Sequence, residues 1–168
     1  LTVSAQTDEQ ATIDELASKL PVIVAQQAEA SRRSIAVADG FEVTVVASEP
    51  LVRDPVAVDF DEHGRMYVVE LPQYNGYAVE GFAAKGSIRM LVDLDQDGTY
   101  DTSTVFAEDL DYPTAVACWD GGLFVGAAPD LLYLKDTDGD GRADRCQVVL
   151  TGFGRDKSGE AQLNSIRW

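Results

Sequence analysis

The chain has 168 residues, with 13 Lys and Arg against 29 Asp and Glu, a formal net charge of −16 at pH 7. That length suits one domain or part of one. So acidic a surface repels phosphate backbones and anionic headgroups, which excludes nucleic acid and acidic membranes as partners, and no apolar run approaches the length of a membrane span.

The opening Leu1-Thr-Val3-Ser-Ala5-Gln6 reads as the end of a secretory signal peptide, because Val3 and Ala5 suit the small-residue cleavage rule. Residues 1–5 are then a signal remnant, and the mature protein is exported, periplasmic or extracellular. Residues 6–38 read as a helical leader. Ile13, Leu16 and Leu20 recur at helical spacing, acids lie near the start, and Pro21 ends the first helix. A second, weaker helix is expected over Val22–Arg33.

From residue 39 to 168 the pattern becomes β. Phe41-Glu-Val-Thr-Val-Val46 alternates, which predicts a strand over Phe41–Ala47. Pro55-Val-Ala-Val58-Asp-Phe60 is then echoed by Pro113-Thr-Ala-Val116-Ala-Cys118, and more loosely by Leu163-Asn-Ser-Ile166-Arg-Trp168. Each of the first two is followed by a turn, a second strand, a third strand, an acidic hairpin and a fourth strand. Four short strands per repeat predict an all-β fold: a partial β-propeller of about two four-stranded blades plus one strand of a third, from a six-bladed ring, behind a short N-terminal helical leader. Phe41–Ala47 would complete another blade. The pattern stops mid-strand at Trp168, so the sequence is expected to be the N-terminal part of a longer protein, with the remaining blades or a partner protein covering the open edges.

The hairpins carry the clearest chemistry. Asp93-Leu-Asp95-Gln-Asp97-Gly98-Thr-Tyr-Asp101 and Asp136-Thr-Asp138-Gly-Asp140-Gly141-Arg-Ala-Asp144 both read D-x-D-x-D-G-x-x-D, and they start 43 residues apart. Alternating carboxylates around a tight turn offer several hard oxygens to one cation, and glycine permits the turn that calcium loops need. A helix–loop–helix calcium site would place a Glu at loop position 12, where this chain has Thr104 and Gln147, and the flanks here are strands. The expectation is two structural calcium sites, at Asp93, Asp95, Asp97 and Asp101, and at Asp136, Asp138, Asp140 and Asp144. The alternative is a plain Asp/Gly-rich turn without metal.

Blade geometry would place both acidic hairpins at the face opposite the channel mouth. The mouth would receive Arg53, Glu70, Tyr74 and Asn75. Arg53 would take an anionic group, Glu70 would accept sugar hydroxyls and Tyr74 would stack on a ring; the other reading is that Glu70 and Arg53 only pin loops. The single histidine, His63, falls in the turn Asp61–Gly64, and no nucleophile triad can be assembled, so catalytic residues are unknown from sequence. Cys118 and Cys146 form neither a zinc nor a haem-attachment motif; a disulfide and two separate thiols both remain open.

Gly40-Phe-Glu-Val, Ala47-Ser-Glu-Pro-Leu-Val-Arg-Asp-Pro-Val-Ala-Val58, Met66-Tyr-Val-Val-Glu70, Asp136–Asp144 and Leu150-Thr-Gly-Phe-Gly154 together resemble the dehydrogenase-like β-propeller of exported planctomycete and verrucomicrobial proteins, labelled membrane-bound dehydrogenases or haem-binding propellers. More distantly they are similar to quinoprotein glucose and sorbosone dehydrogenases. The resemblance implies oxidation of a sugar or polyol, with electrons passed to a c-type cytochrome domain or partner. Pyrroloquinoline quinone or haem would be held only with sequence outside this chain. In the quinoproteins a catalytic His precedes an inner strand; the corresponding stretch here, Glu160–Asn164, has none. The rival expectation is a non-catalytic binding or scaffold propeller in a larger complex.

Overall fold

The computed structural model describes residues 15, 18–20, 24–72, 74, 85–154 and 163–167. The chain divides into two compact units, Leu1–Val43 and Thr44–Trp168. In the first, α1 (Ala28–Ser34) carries Glu29 in its first turn and Arg32 and Arg33 in its last, the charge order that its backbone dipole favours. Glu15, Ser18 and Lys19 are also helical, and Lys19 pairs with Glu15 one turn back at 2.7 Å. The rest of the expected first leader helix and the signal remnant at 1–5 lie outside the described residues. No described helix is long and apolar enough to cross a membrane.

The second unit is mostly β. Its strands are β1 (Pro55–Phe60), β2 (Met66–Glu70), β3 (Lys85–Val92), β4 (Thr102–Asp111), β5 (Ala115–Trp119), β6 (Gly122–Ala127), β7 (Asp130–Lys135) and β8 (Arg145–Thr151). They form two four-stranded sheets, β1-β2-β3-β4 and β5-β6-β7-β8, each an antiparallel meander in chain order. Each repeated phrase in the sequence therefore becomes one sheet.

The way the sheets stack follows from side-chain alternation. On β2, Tyr67 and Val69 face the second sheet, where they share a core with Ile88, Met90 and Phe106 of the first sheet and Val116, Leu123, Val125 and Leu134 of the second. Met66 and Val68 face the other way and are covered, with Leu91, by Ala47, Leu51 and Val52. In the repeat alignment Met66 and Val68 correspond to Leu123 and Val125, since Phe60 pairs with Met66 as Cys118 pairs with Leu123. The first sheet thus offers its Tyr67 face and the second offers its Leu123 face. Equivalent faces point the same way. This is head-to-tail stacking, unlike a sandwich in which equivalent faces meet.

Two hydrogen bonds lock the joint. The Cys118 backbone N–H donates to Asp59 Oδ2 at 2.7 Å, tying β5 to β1. The Ala143 N–H donates to the Phe106 carbonyl at 2.8 Å, tying the second acidic hairpin to the outer strand of the first sheet. Phe106 is the extra residue of a β-bulge, because Ile88 pairs with Ala107 while Arg89 pairs with Val105. A bulge takes its residue out of the ladder and frees the carbonyl for another donor. Both cysteines are free thiols. Burial, reinforced by the Asp59 and Asp61 carboxylates, pushes the Cys118 thiol up to about 12, so it stays protonated at neutral pH.

Two expected strands do not form. Residues 163–167 carry no strand, although the Leu163 carbonyl accepts a hydrogen bond from the Thr114 hydroxyl. Residues 41–47 carry none either. There the Val46 carbonyl accepts one bond, from the Tyr100 N–H at 2.8 Å. Both segments have strand-like composition, but a strand exists only where a neighbour supplies a hydrogen-bonded ladder.

Replacing Asp59 by Ala leaves the half-buried Cys118 N–H without its acceptor. The expected cost is about 1–3 kcal/mol, read as a lower urea midpoint at unchanged slope.

Candidate functional site

The two acidic hairpins have one internal wiring. The first Asp of each accepts backbone N–H bonds from positions 4 and 6: Asp93 from Gln96 at 2.7 Å and Gly98 at 2.8 Å, Asp136 from Gly139 at 2.7 Å and Gly141 at 2.8 Å. The fifth-position Asp accepts from position 7, Asp97 from Thr99 at 2.7 Å and Asp140 from Arg142 at 2.8 Å. The ninth accepts from position 2, Asp101 from Leu94 at 2.7 Å and Asp144 from Thr137 at 3.0 Å. Only position 3 is weakly held, with Asp95 and Asp138 each accepting a bond at 3.3 Å.

These bonds bring three carboxylates of each hairpin together around a turn. Oxygens of Asp93, Asp95 and Asp101 lie within 4.8 Å of one another, as do those of Asp136, Asp138 and Asp140. Asp97 and Asp144 stand outside these clusters, yet each motif position is represented in one hairpin or the other. An all-oxygen donor set at this spacing fits a hard cation such as Ca²⁺. At Asp136 slight desolvation works to raise the pKa, but the N–H groups of Gly139, Gly141 and Asp138 outweigh it and hold the carboxyl below its ordinary range. A depressed carboxylate stabilises the fold above its unfolded pKa, near 4, and that stability is lost as pH falls through the lower folded value.

Position 6 is a left-handed glycine in both hairpins, Gly98 at φ 90° and Gly141 at φ 86°. Position 4 is left-handed too: Gly139 at φ 84° but Gln96 at φ 62°. The sequence marks only the sixth-position turn. The strain at Gln96 appears once its N–H is seen donating to Asp93.

At the opposite end of the first sheet Glu70 is buried, with both carboxylate oxygens engaged. Oε1 accepts the Arg53 backbone N–H at 2.7 Å, and Oε2 accepts the Ser87 hydroxyl and Arg89 Nε, each at 3.1 Å. Ser87 and Arg89 were not singled out from sequence. Their signal is register: β3 brings Ser87 opposite Glu70, and Arg89 two residues on shares its face. Glu70 thus anchors the backbone that presents Arg53, whose exposed side chain lies 3.9 Å from Asp54. Tyr74 stacks on Tyr112, with ring centroids 6.2 Å apart and planes at 26°, and the Tyr112 hydroxyl donates to the Tyr74 carbonyl at 3.0 Å. Asn75 lies outside the described residues. His63 is exposed on the β1–β2 turn, at the acidic-hairpin end, where the Tyr100 hydroxyl donates to the Gly64 carbonyl at 3.0 Å.

Glu70→Ala strands the half-buried Arg89 and the Arg53 N–H together, and a loss of about 3 kcal/mol in unfolding free energy is expected. Gln96→Gly relieves the left-handed strain and should stabilise by about 0.5–1 kcal/mol, while Gly139→Ala should cost about 1 kcal/mol. Chemical denaturation of both variants checks the pair, and equal signs would refute the assignment.

No curated protein and no solved structure matches the chain. Residues 27–168, from the residue before α1 through both sheets, match the family model described as a domain of unknown function, DUF7133, and the chain belongs to that family.

Proposed function

We propose that these two sheets are consecutive blades of an exported, calcium-stabilised β-propeller of the dehydrogenase-like class. The observation that carries the propeller reading is the head-to-tail stacking. A heterologous contact repeated by one operator closes into a ring or runs on as an open array, and four-stranded meanders stacked this way suit a ring. The calcium reading is supported by the matched wiring of the two hairpins and their inward carboxylates. Ca²⁺ would supply charge neutralisation and rigid cross-linking of each hairpin, held by Asp93, Asp95 and Asp101 and by Asp136, Asp138 and Asp140, with Asp97 and Asp144 fixing the loop backbone.

In this reading the segment is scaffold. Oxidation of a sugar or polyol, with electrons passed to a haem domain or cytochrome partner, would use pyrroloquinoline quinone or haem held by groups outside these residues. The buried state of Glu70 favours a second reading, a non-catalytic binding or scaffold propeller, because both its oxygens already serve internal donors. Arg53 remains the mouth residue suited to an anionic ligand.

The calcium reading predicts a melting temperature roughly 5–10 °C higher at calcium about a hundredfold above Kd than in chelator. The Asp95→Ala, Asp138→Ala double variant should lose that gain while its metal-free melting temperature barely moves, since those two carboxylates make the weakest internal bonds. A wild-type protein indifferent to calcium would end the reading. For the dehydrogenase class, the native protein given quinone and an aldose should bleach a redox dye; a loaded protein that leaves the dye intact selects the scaffold alternative.

A further inference from the structure

The joint between the sheets is one member of a series. The eighth residue of each acidic hairpin donates its N–H backwards along the chain, Tyr100 to the Val46 carbonyl and Ala143 to the Phe106 carbonyl, each at 2.8 Å. The acceptors sit in matching phrases, Val45-Val46-Ala47 and Val105-Phe106-Ala107, and Ala47 and Ala107 each pack on the core that the hairpin helps to cover. Val148-Val149-Leu150 is the third such phrase.

Val149 has the same backbone preparation as Phe106. Leu131 pairs with Leu150 and Leu132 with Val148, so Val149 is the extra residue of a bulge. What differs is the cover: Phe106 is 3% exposed and Val149 is 40% exposed. The surroundings match as well. A side chain at Gly141 would meet Met90 and Thr104 of the first sheet, at 3.3 and 3.6 Å, so that hairpin glycine is seated on them. Their counterparts in the second sheet, Tyr133 and Gln147, line with Val149, Phe124 and Trp119 an open hollow of about 340 Å³.

We infer that this outward face of the second sheet, centred on the Val149 bulge and the Tyr133–Gln147 hollow, seats the acidic or equivalent hairpin of a third four-stranded unit of the same polypeptide. The same polypeptide is the occupant because residues 163–167 already lie where that unit's innermost strand belongs. A side chain at Gly126 would meet Leu163 at 3.1 Å, and Asn164–Arg167 line a hollow of about 240 Å³ with β1 and β5. A second copy of the chain does not fit, because its Met66 face is covered by Ala47, Leu51 and Val52 and its Tyr100 N–H is already given to Val46. The inference rests on the stacked-repeat reading; it needs neither calcium nor closure of the ring.

Hydroxyl-radical footprinting of the native protein, isolated from its source, tests this. Tyr133 and Val149 should lose labelling down to the level of Phe106, while Leu94 at the hairpin tip labels freely. Tyr133 and Val149 labelling as fast as Leu94 would overturn the docking. Protection that disappears on dilution would overturn the same-polypeptide occupant in favour of a separate molecule. Val58 and Phe60, exposed on the far face of the first sheet, report ring closure separately: if they label while Tyr133 does not, the stack is open and the docking stands. Protection of Tyr133 that persists in chelator likewise separates the docking from the calcium reading.

Discussion

The N–H of Ala143 meets the carbonyl of Phe106 at the rim of an apolar stack, and the second unit of the chain is organised around that meeting. The stack supplies the energy: Tyr67, Val69, Ile88 and Met90 on one side, Leu123, Val125 and Leu134 on the other. It has no direction of its own, since apolar burial scales with area and tolerates sliding. The hydrogen bond and the Asp59–Cys118 bond at the β1 edge give the joint a register. One lies on β4 and the other on β1, the two edge strands of the first sheet, so that sheet is held at both edges.

The bulge at Phe106 is what lets an outer strand serve two masters. An unbulged edge would offer a row of regular carbonyls, open to any passing strand. Here one carbonyl is displaced and aimed at one hairpin. The hairpin in turn depends on its own carboxylates, because the N–H that reaches Phe106 lies next to Asp144, whose bonds to Thr137 close the loop at 3.0 and 2.6 Å. Acidic wiring, loop shape and sheet seating therefore form one chain of dependence. The opposite end of the first sheet is built differently. Glu70 gathers Arg53, Ser87 and Arg89 there, and the aligned position of the second sheet is Ala127. That polar hub is not a requirement of the repeat; it belongs to the first sheet alone.

Much of this was legible in the residues. The eight strands follow from short alternating runs punctuated by Gly, Pro and Asp, and the two acidic motifs announce their hairpins because a turn of that tightness needs glycine at position 6. Less legible were the features that arise from contact. Gln96 gives no sign that it must turn left-handed. Phe106 and Val149 read as ordinary strand residues. Glu70 reads either as a mouth carboxylate open to ligand or as a loop pin, and only the register that brings Ser87 and Arg89 across from it shows it buried with both oxygens engaged. Residues 41–47 and 163–167 have strand composition without forming strands, because alternation describes a face to be buried and cannot supply the neighbour that completes a ladder.

What the sequence determined by itself is local: the strand period, the hairpin turns, the carboxylate spacing and the repeat length. Each depends on a few adjacent residues and on backbone sterics. Which face of each sheet meets the next, which carbonyl leaves its ladder and which carboxylate is buried were decided only in three dimensions. Head-to-tail stacking buries the Leu123 face of the second sheet, whereas equivalent faces meeting would bury its Phe124 face, and both faces are apolar in the sequence. Only the fit of Met90, Phe106 and Leu123 against one another, with a hydrogen bond at each edge, separates them.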